Sequence, residues 1–214
     1  MINAVIFDLD GTLVDSEILY VEAVQQLLTE SGCEVTWNLA IDIAYGHGWD
    51  FVYEAMARHF PQWRRPAHEI APVIAKHYAR LRAERDIRIH GSVELLKRLT
   101  KEYPVAIVSG SYRQDIADAI EYLGIEEQVS FYIGSEDVSR GKPDPIGYRT
   151  AAQKLGVPPA YCLVFEDSAA GVTAAKAAGM HCVALARPGR PPQDHRQADL
   201  VLADLAGFAI EHYQ

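Results

Sequence analysis

Six short apolar runs divide the chain, and each of them is predicted to be a buried β-strand. The runs are too short for helices and are continuously apolar, without the alternation of a half-exposed strand. Strands of a parallel sheet, which are covered on both faces, have this pattern. The predicted strands cover residues 4–7, 105–109, 130–133, 162–165, 182–185 and 200–202.

Helical periodicity fills the intervals between most of these strands. Several helix ends are marked by residues of suitable conformational preference: Ser92 and Ser168 are predicted N-caps, and Gly124 is a predicted C′ residue. Strand-helix alternation with right-handed crossovers predicts an α/β fold, a Rossmann-like parallel sheet flanked by helices.

One long interval breaks the alternation. Residues 15–85 contain amphipathic helical patterns and no strong strand. Prolines, Pro72 among them, are expected to limit where these helices run. We predict an inserted α-helical cap domain over residues 15–85. The α/β catalytic core is then discontinuous and consists of residues 1–14 and 86–214.

Composition and charge restrict the possible partners. The chain has 214 residues, 49% of them hydrophobic, and a net charge of −9. This charge argues against general binding to nucleic acid or to an anionic membrane. The three cysteines form no CxxC motif and are expected to be reduced and buried. We expect neither a signal peptide nor a membrane-spanning run, so the expectation is a cytoplasmic protein, with a monomer as the default.

Polar residues follow the apolar runs at four places. The carboxyl ends of parallel strands face one crevice, where ligands of such sheets bind. We therefore expect these residues to lie together. The four segments are FDLDGT with Asp8 and Asp10, VSGS with Ser109, GKPDP with Lys142, and FEDS with Glu166 and Asp167.

The acidic residues suit metal-assisted chemistry. The Asp8 carboxylate is a candidate nucleophile, and Asp10 is a candidate for donating and accepting a proton. Asp8, Glu166 and Asp167 offer hard oxygen ligands of the kind that Mg²⁺ prefers.

The remaining polar residues suit a phosphoryl group. Lys142 supplies a cation, and Ser109, with the amides around Gly110 and Ser111, supplies hydrogen-bond donors for phosphate oxygens. A metal and a lysine that neutralise the phosphoryl oxygens, with a carboxylate in line, indicate phosphoryl transfer.

The four motifs, in this order, resemble those of the haloacid dehalogenase superfamily. The resemblance covers essentially the whole chain. It is strongest to the β-phosphoglucomutase-like phosphatases, which carry a helical cap between the first and second motifs. The complete set of motifs at these spacings is a specific signal, whereas DxDGT alone is only moderately specific.

The resemblance implies a role for each acid. Asp8 forms an aspartyl-phosphate, and Asp10 protonates the leaving group and then activates water. The backbone carbonyl of Asp10 helps to hold Mg²⁺. Asp167 is the main acidic metal ligand, and Glu166 ligates directly or through water.

The resemblance also implies which residues bind the substrate. Ser109 and Lys142 hold the transferring phosphoryl group. The segment AYGHGWD aligns with the family's substrate-specificity loop, which makes Tyr45, Gly46 and His47 candidate substrate contacts. For these three the alternative, simple packing within the loop, stays open.

Departures from the mutase pattern favour hydrolysis. Mutases of the family tend to carry an apolar residue at the position of Thr12, a cap histidine at that of Tyr20 and a cap lysine at that of Tyr45. We count Thr12 among the candidate substrate-binding residues, because it belongs to the case for water as the phosphoryl acceptor.

The predicted function is a Mg²⁺-dependent phosphatase of a small phosphorylated metabolite, a sugar phosphate in the first place. The alternative is a hexose phosphate mutase of the β-phosphoglucomutase type. A catalytically inactive module that binds a phosphorylated ligand is disfavoured, because Asp8, Asp10 and Lys142 are all present.

Overall fold

A six-stranded parallel sheet is the centre of the fold in the computed structural model, which describes residues 1–213. The strand order is β3-β2-β1-β4-β5-β6, and every neighbouring pair is parallel. The predicted α/β class is confirmed, and each predicted strand is present. The strands are β1 Ala4–Phe7, β2 Val105–Val108, β3 Phe131–Ile133, β4 Cys162–Glu166, β5 His181–Leu185 and β6 Leu200–Leu202.

Helices account for most of the remaining regular structure. Two predicted ends are confirmed: Gly124 follows α6 with a left-handed φ of 62°, and the Ser168 side chain caps α8. The helices are α1 Ser16–Glu30, α2 Trp37–Ala44, α3 Trp49–His59, α4 Ala67–Glu84, α5 His90–Leu99, α6 Arg113–Leu123, α7 Ile146–Leu155 and α8 Ala169–Ala177.

The predicted start of α5 at Ser92 is wrong. The helix begins at His90, and the amide of the preceding residue, Ile89, donates to the carbonyl of Leu13 at 3.0 Å. Ser92 is buried in the first turn, and its hydroxyl has no hydrogen-bond partner among the described residues. Burial of Ile89 and Val93 fixes the start of the helix and outweighs the capping preference of serine.

β1 lies between β2 and β4, which determines where the site forms. Phe7, the last residue of β1, is in register with Ile107 of β2 and Phe165 of β4. The residues after these three strands therefore emerge side by side at one edge of the sheet.

The sheet interior is apolar around β1 and around residues 162–165 of β4, before the buried Glu166. All residues of both strands are buried, and the Phe7 and Phe165 rings stack with centroids 4.7 Å apart. On one face, α7 and α8 cover the sheet through small and branched side chains, including Ala151 and Val172. Each large apolar side chain buried in this way contributes about 1.5–3 kcal/mol.

The chain divides into two compact units. The core unit comprises Met1–Val14 and Arg88–Gln214, and the helical unit comprises Asp15–Ile87. The division of catalysis and substrate selection between a core and a cap stays a prediction. No helix in the described part of the chain is long and apolar enough to cross a bilayer.

The helical unit contains α1 to α4. Tyr20 of α1 stacks on Tyr78 of α4, with centroids 4.1 Å apart and planes inclined by 10°. The expectation that Pro72 limits a helix is wrong for α4, which continues through it. Proline lacks the N–H that would bond four residues back, and burial of Ile70 and Ile74 on the inner face of the helix offsets this loss.

Asp199 connects three elements at the far side of the sheet. Its carboxylate accepts hydrogen bonds from Lys176 Nζ of α8 and from the amide of Cys182 in β5, each at 2.7 Å. Its own amide donates to the Cys182 carbonyl just before β6 begins. Partial burial acts to raise the pKa of this carboxyl, but the hydrogen bonds from Lys176 and Cys182 outweigh it and lower the pKa.

We predict that Asp199→Asn destabilises the fold by about 1 kcal/mol at neutral pH. Because the folded-state pKa is lowered, the carboxylate stabilises the protein above the unfolded value of 3.8 and loses this effect as the pH falls below it. Denaturant unfolding from pH 3 to pH 7 measures the difference between variant and wild type. Asp194→Asn, in a surface pair with Arg196, is the control. A deficit that is equally large at pH 3 and pH 7 contradicts the prediction.

Candidate active site

The four predicted motifs meet at the carboxyl ends of the central strands. Asp8 directly follows β1, Ser109 directly follows β2, and Glu166 ends β4 with Asp167 next to it. Lys142 lies in the segment before α7, and its Nζ reaches the same place, where it donates to the carbonyl of Val108 at the end of β2. The structure thus brings together residues that are up to 159 positions apart in the chain (from Asp8 to Asp167).

Lys142 is held by three acceptors. Its Nζ donates to Asp8 Oδ1 and Glu166 Oε1, both at 2.5 Å, and to the carbonyl of Val108 at 3.1 Å. An ammonium has three N–H donors, so these contacts use all of them. Burial acts to lower the pKa of Lys142, but the charges of Asp8 and Glu166 outweigh it and raise the pKa.

Glu166 is fully buried and accepts hydrogen bonds on both oxygens. Oε1 accepts from Lys142 and from the Tyr148 hydroxyl at 2.7 Å. Oε2 accepts from the amides of Asp167 and Ser168, each at 3.1 Å, and from the Ser168 hydroxyl at 3.0 Å. Burial acts to raise the pKa of Glu166, but Lys142 and these donors lower it. Five donors therefore keep this carboxylate charged inside the protein.

Asp8 has one oxygen that the protein leaves unpaired. Oδ1 contacts Lys142, whereas Oδ2 is buried and has no hydrogen-bond partner among the described residues. Burial is the main cause of a pKa of Asp8 well above its usual value. The charge of Glu166 raises this pKa further, and Lys142 only partly opposes the shift. Lys142 therefore does not fully compensate the negative charge of the site, and a second positive charge there would be stabilised.

The donor set fits a hard divalent cation. Asp8, Glu166 and Asp167 each offer a carboxylate oxygen, and the three oxygens lie within 4.8 Å of one another. The unpaired Oδ2 of Asp8 is an oxygen of the kind that Mg²⁺ binds. Whether Glu166, which already accepts five hydrogen bonds, contacts a cation directly or through water stays a prediction.

Gly11 makes room for one of these acids. Its φ of +90° is a conformation that other residues rarely adopt, and a Cβ at this position would overlap the Asp167 carboxylate. The next residue, Thr12, is fully buried, and its hydroxyl has no hydrogen-bond partner among the described residues. Its predicted contact with substrate stays a prediction.

Asp10 is fixed by the serines of the second motif. Its Oδ2 accepts hydrogen bonds from Ser109 Oγ at 3.0 Å and from Ser111 Oγ at 2.6 Å. The Ser111 amide donates to Ser109 Oγ at 2.9 Å, and Gly110 between them is exposed. The two serines that were predicted to contact a phosphate thus also orient the candidate acid-base residue.

The other predicted substrate contacts lie in the helical unit. Tyr45, which follows α2, is 7% exposed. Gly46 adopts a φ of +72°, and His47 is exposed, with its ring 4.0 Å from that of Phe51 between centroids. Partial burial lowers the pKa of His47 despite the nearby charge of Asp42. That these loop residues touch a substrate stays a prediction.

Three residues near the site were missed by sequence reasoning. Tyr148 donates a hydrogen bond to Glu166. It could have been found in the sequence as a tyrosine on the buried face of the helix that follows the lysine motif. His195 Nε2 donates to the Asp167 carbonyl at 2.6 Å, and Gln193 Oε1 accepts from the amide that begins α8 at 3.3 Å. These two belong to a loop without periodicity, so no sequence pattern pointed to them.

We predict that Gly11→Ala prevents Asp167 from contributing to a cation site. Gly179→Ala is the matched control, because Gly179 has a similar φ of +85° but no atom within 4 Å of its Cβ position. Both variants should lose about 1–2 kcal/mol of stability through the positive φ.

Thermal unfolding with and without Mg²⁺ separates the two variants. Wild type and Gly179→Ala should show the same Mg²⁺-induced rise in Tm, as expected when a ligand binds only the folded state. Gly11→Ala should show little or none. An undiminished rise in Gly11→Ala would mean that the Asp167 carboxylate does not depend on this glycine.

Comparison with known proteins identifies the family. The chain is 33% identical to validoxylamine A 7'-phosphate phosphatase of Streptomyces hygroscopicus subsp. limoneus over 99% of this chain and 98% of the relative. It is 34% identical to hexitol phosphatase A of Escherichia coli over 96% of this chain and 92% of the relative. These relatives confirm the predicted enzyme class, phosphoric monoester hydrolase.

A solved structure and a family model agree with these relatives. A haloacid dehalogenase family hydrolase from Deinococcus radiodurans, solved with bound phosphate and sodium, is 31% identical with a TM-score of 0.78, over 96% of this chain and 92% of that one. The model described as haloacid dehalogenase-like hydrolase matches residues 5–185. The chain therefore belongs to the haloacid dehalogenase-like hydrolase family.

Proposed function

We propose that the protein is a Mg²⁺-dependent phosphatase that hydrolyses a small phosphorylated metabolite through an aspartyl-phosphate on Asp8. The observation that carries this proposal is the state of the Asp8 carboxylate. One oxygen is held by Lys142, and the other is buried and unpaired beside Glu166 and Asp167.

The residues suit a two-step hydrolysis. In the first step a carboxylate oxygen of Asp8 attacks phosphorus, the bond from phosphorus to the ester oxygen breaks, and Asp10 gives its proton to the departing alkoxide. In the second step Asp10 takes a proton from a water molecule as the water oxygen attacks phosphorus, the bond between phosphorus and the Asp8 oxygen breaks, and inorganic phosphate is released. Asp8 is then a free carboxylate, and Asp10 is protonated for the next cycle.

Ser109 and Ser111 prepare Asp10 for this proton transfer. Both hydroxyls donate to the same oxygen of Asp10, Oδ2, and so orient its carboxyl group. Ser109 and the amides around Gly110 are also the proposed donors to the phosphoryl oxygens; the Ser109 hydroxyl has a single hydrogen and turns from Asp10 to the phosphoryl group when it donates there. Lys142 already forms an ion pair with Asp8, and its positive charge therefore lies beside the proposed nucleophile.

The proposed metal ligands are Asp8, Asp167 and the backbone carbonyl of Asp10, with Glu166 acting through water. When bound, Mg²⁺ supplies positive charge that neutralises phosphoryl oxygens. The residues themselves place the nucleophile: Gly11 admits the Asp167 carboxylate beside Asp8, and the buried strand β1 holds Asp8 at its end.

The proposed substrate class is a phosphorylated sugar or a related polyol. Two relatives that match nearly the whole chain act on validoxylamine A 7'-phosphate and on hexitol phosphates, as their names state. Tyr45, Gly46 and His47 remain the proposed contacts to the part of the substrate that leaves. Thr12 remains a proposed contact within the core unit.

We predict that Asp8→Asn abolishes phosphate release and leaves the protein folded. Asparagine keeps the shape of the side chain and a carbonyl oxygen for Lys142, but it is not a competent nucleophile. Circular dichroism checks the fold, and a phosphate-release assay with excess Mg²⁺ checks turnover. Residual Mg²⁺-dependent hydrolysis above about 1% of the wild-type rate would rule out the nucleophile assignment.

A panel of sugar, polyol and nucleoside monophosphates tests the whole proposal. We expect release of inorganic phosphate from several of these compounds, complete loss with EDTA and recovery on addition of Mg²⁺. The panel includes β-glucose 1-phosphate with an assay for glucose 6-phosphate. Formation of glucose 6-phosphate faster than phosphate release would favour the mutase alternative. Tight binding of these compounds without turnover would favour an inactive binding module.

A further inference from the structure

The hydroxyl of Tyr148 is a buried polar group at the edge of an apolar core. Tyr148, a residue of α7, is 0% exposed and belongs to a buried apolar cluster that includes Ala151, Ala152 and Val164. A buried hydroxyl costs free energy unless it is hydrogen-bonded, and phenylalanine would fill nearly the same space without that cost. The hydroxyl therefore calls for an explanation other than packing.

The hydroxyl and Lys142 share one oxygen. Glu166 Oε1 accepts from Tyr148 at 2.7 Å and from Lys142 Nζ at 2.5 Å. The ammonium also lies 5.3 Å from the centroid of the Tyr148 ring, within the range of a cation–π contact. Tyr148 thus contacts both members of the buried ion pair.

Glu166 cannot easily turn away from this arrangement. Its other oxygen is held by the amides of Asp167 and Ser168 and by the Ser168 hydroxyl. The position of Oε1 is therefore set by the turn after β4. What varies is how strongly Oε1 attracts the ammonium, and a second donor reduces that attraction because its positive hydrogen offsets part of the charge on Oε1.

This sharing bears on the location of the ammonium. Lys142 lies between Asp8 Oδ1 and Glu166 Oε1 at equal distances of 2.5 Å. Without the Tyr148 hydroxyl, Oε1 carries more uncompensated negative charge and draws Lys142 towards Glu166. The ammonium then moves away from Asp8, where the phosphoryl group is proposed to react.

We propose that Tyr148 is a positioning residue that keeps the Lys142 ammonium beside Asp8 by sharing the Oε1 oxygen of Glu166. It contacts no reacting atom. The inference rests on the proposed phosphatase function for its catalytic consequence, whereas its structural part, the location of the ammonium, does not require any activity.

The test is Tyr148→Phe, which keeps the ring and removes the hydroxyl. On a phosphoester that the wild type hydrolyses, we expect kcat to fall about tenfold and KM to stay within about twofold, because the loss affects charge neutralisation during reaction. Tyr161→Phe is the control, because that ring is 45% exposed and should show wild-type kinetics. Assays are run at 25 °C on protein shown to be fully folded by circular dichroism.

Making the same change in a protein without the Lys142 ammonium distinguishes positioning from a general structural effect. In Lys142→Met, the additional change Tyr148→Phe should alter the residual rate by less than about twofold, because the residue it acts through is gone. The same tenfold loss in both backgrounds would overturn the proposal. So would a kcat for Tyr148→Phe within about twofold of the wild type.

A crystal structure of Tyr148→Phe tests the structural part independently of turnover. We expect the separation of Lys142 Nζ and Asp8 Oδ1 to exceed about 3.2 Å, the usual limit of such a hydrogen bond. An unchanged ammonium position would overturn the inference. If the wild type hydrolyses no phosphoester, the proposed function fails, and this structure alone decides the inference.

Discussion

The concentration of carboxylates around the Lys142 ammonium is the constraint on which this structure depends. Asp8, Glu166 and Asp167 place oxygens within 4.8 Å of one another, and Asp10 adds to the negative charge that raises the pKa of Asp8. Repulsion at such distances is strong where water is scarce. The folded protein therefore has to offset the repulsion between these carboxylates with its own cation and hydrogen-bond donors, before any ligand binds.

The compensation is divided unequally among the acids. Glu166 accepts five hydrogen bonds and stays charged, whereas Asp8 receives one contact, from Lys142, and keeps a raised pKa. This inequality separates the roles of the two residues. The carboxylate with five hydrogen bonds organises the site, and the one with a single hydrogen bond is suited to react or to bind a cation. Lys142 forms an ion pair with both carboxylates. Its distance from each of them therefore determines how its positive charge is divided between Asp8 and Glu166.

Local backbone features serve this electrostatic arrangement. Gly11 and Gly171 both lie where a Cβ would overlap a carboxylate, of Asp167 and Glu166 respectively. The two glycines thus allow acids to approach the main chain more closely than any other residue would permit. The central position of β1 places Asp8 in the site. A strand with parallel neighbours on both sides ends at the centre of the crevice, where its last side chains lie.

The sequence by itself determined the strands, the class of fold and the chemistry at the strand ends. Short, continuously apolar runs in this chain are best explained as buried strands. The chemistry of the side chains in FDLDGT, VSGS, GKPDP and FEDS can be inferred from the sequence alone. The tertiary structure decided what depends on three-dimensional packing. The start of α5 follows the burial of Ile89 and not the preference of Ser92, and α4 continues through Pro72 because its inner face is buried. Only the fold could show that Tyr148 and Lys142 share one oxygen of Glu166. A hydrogen-bond network between distant segments leaves no periodic trace in a sequence, because its geometry exists only once the sheet and its helices have packed.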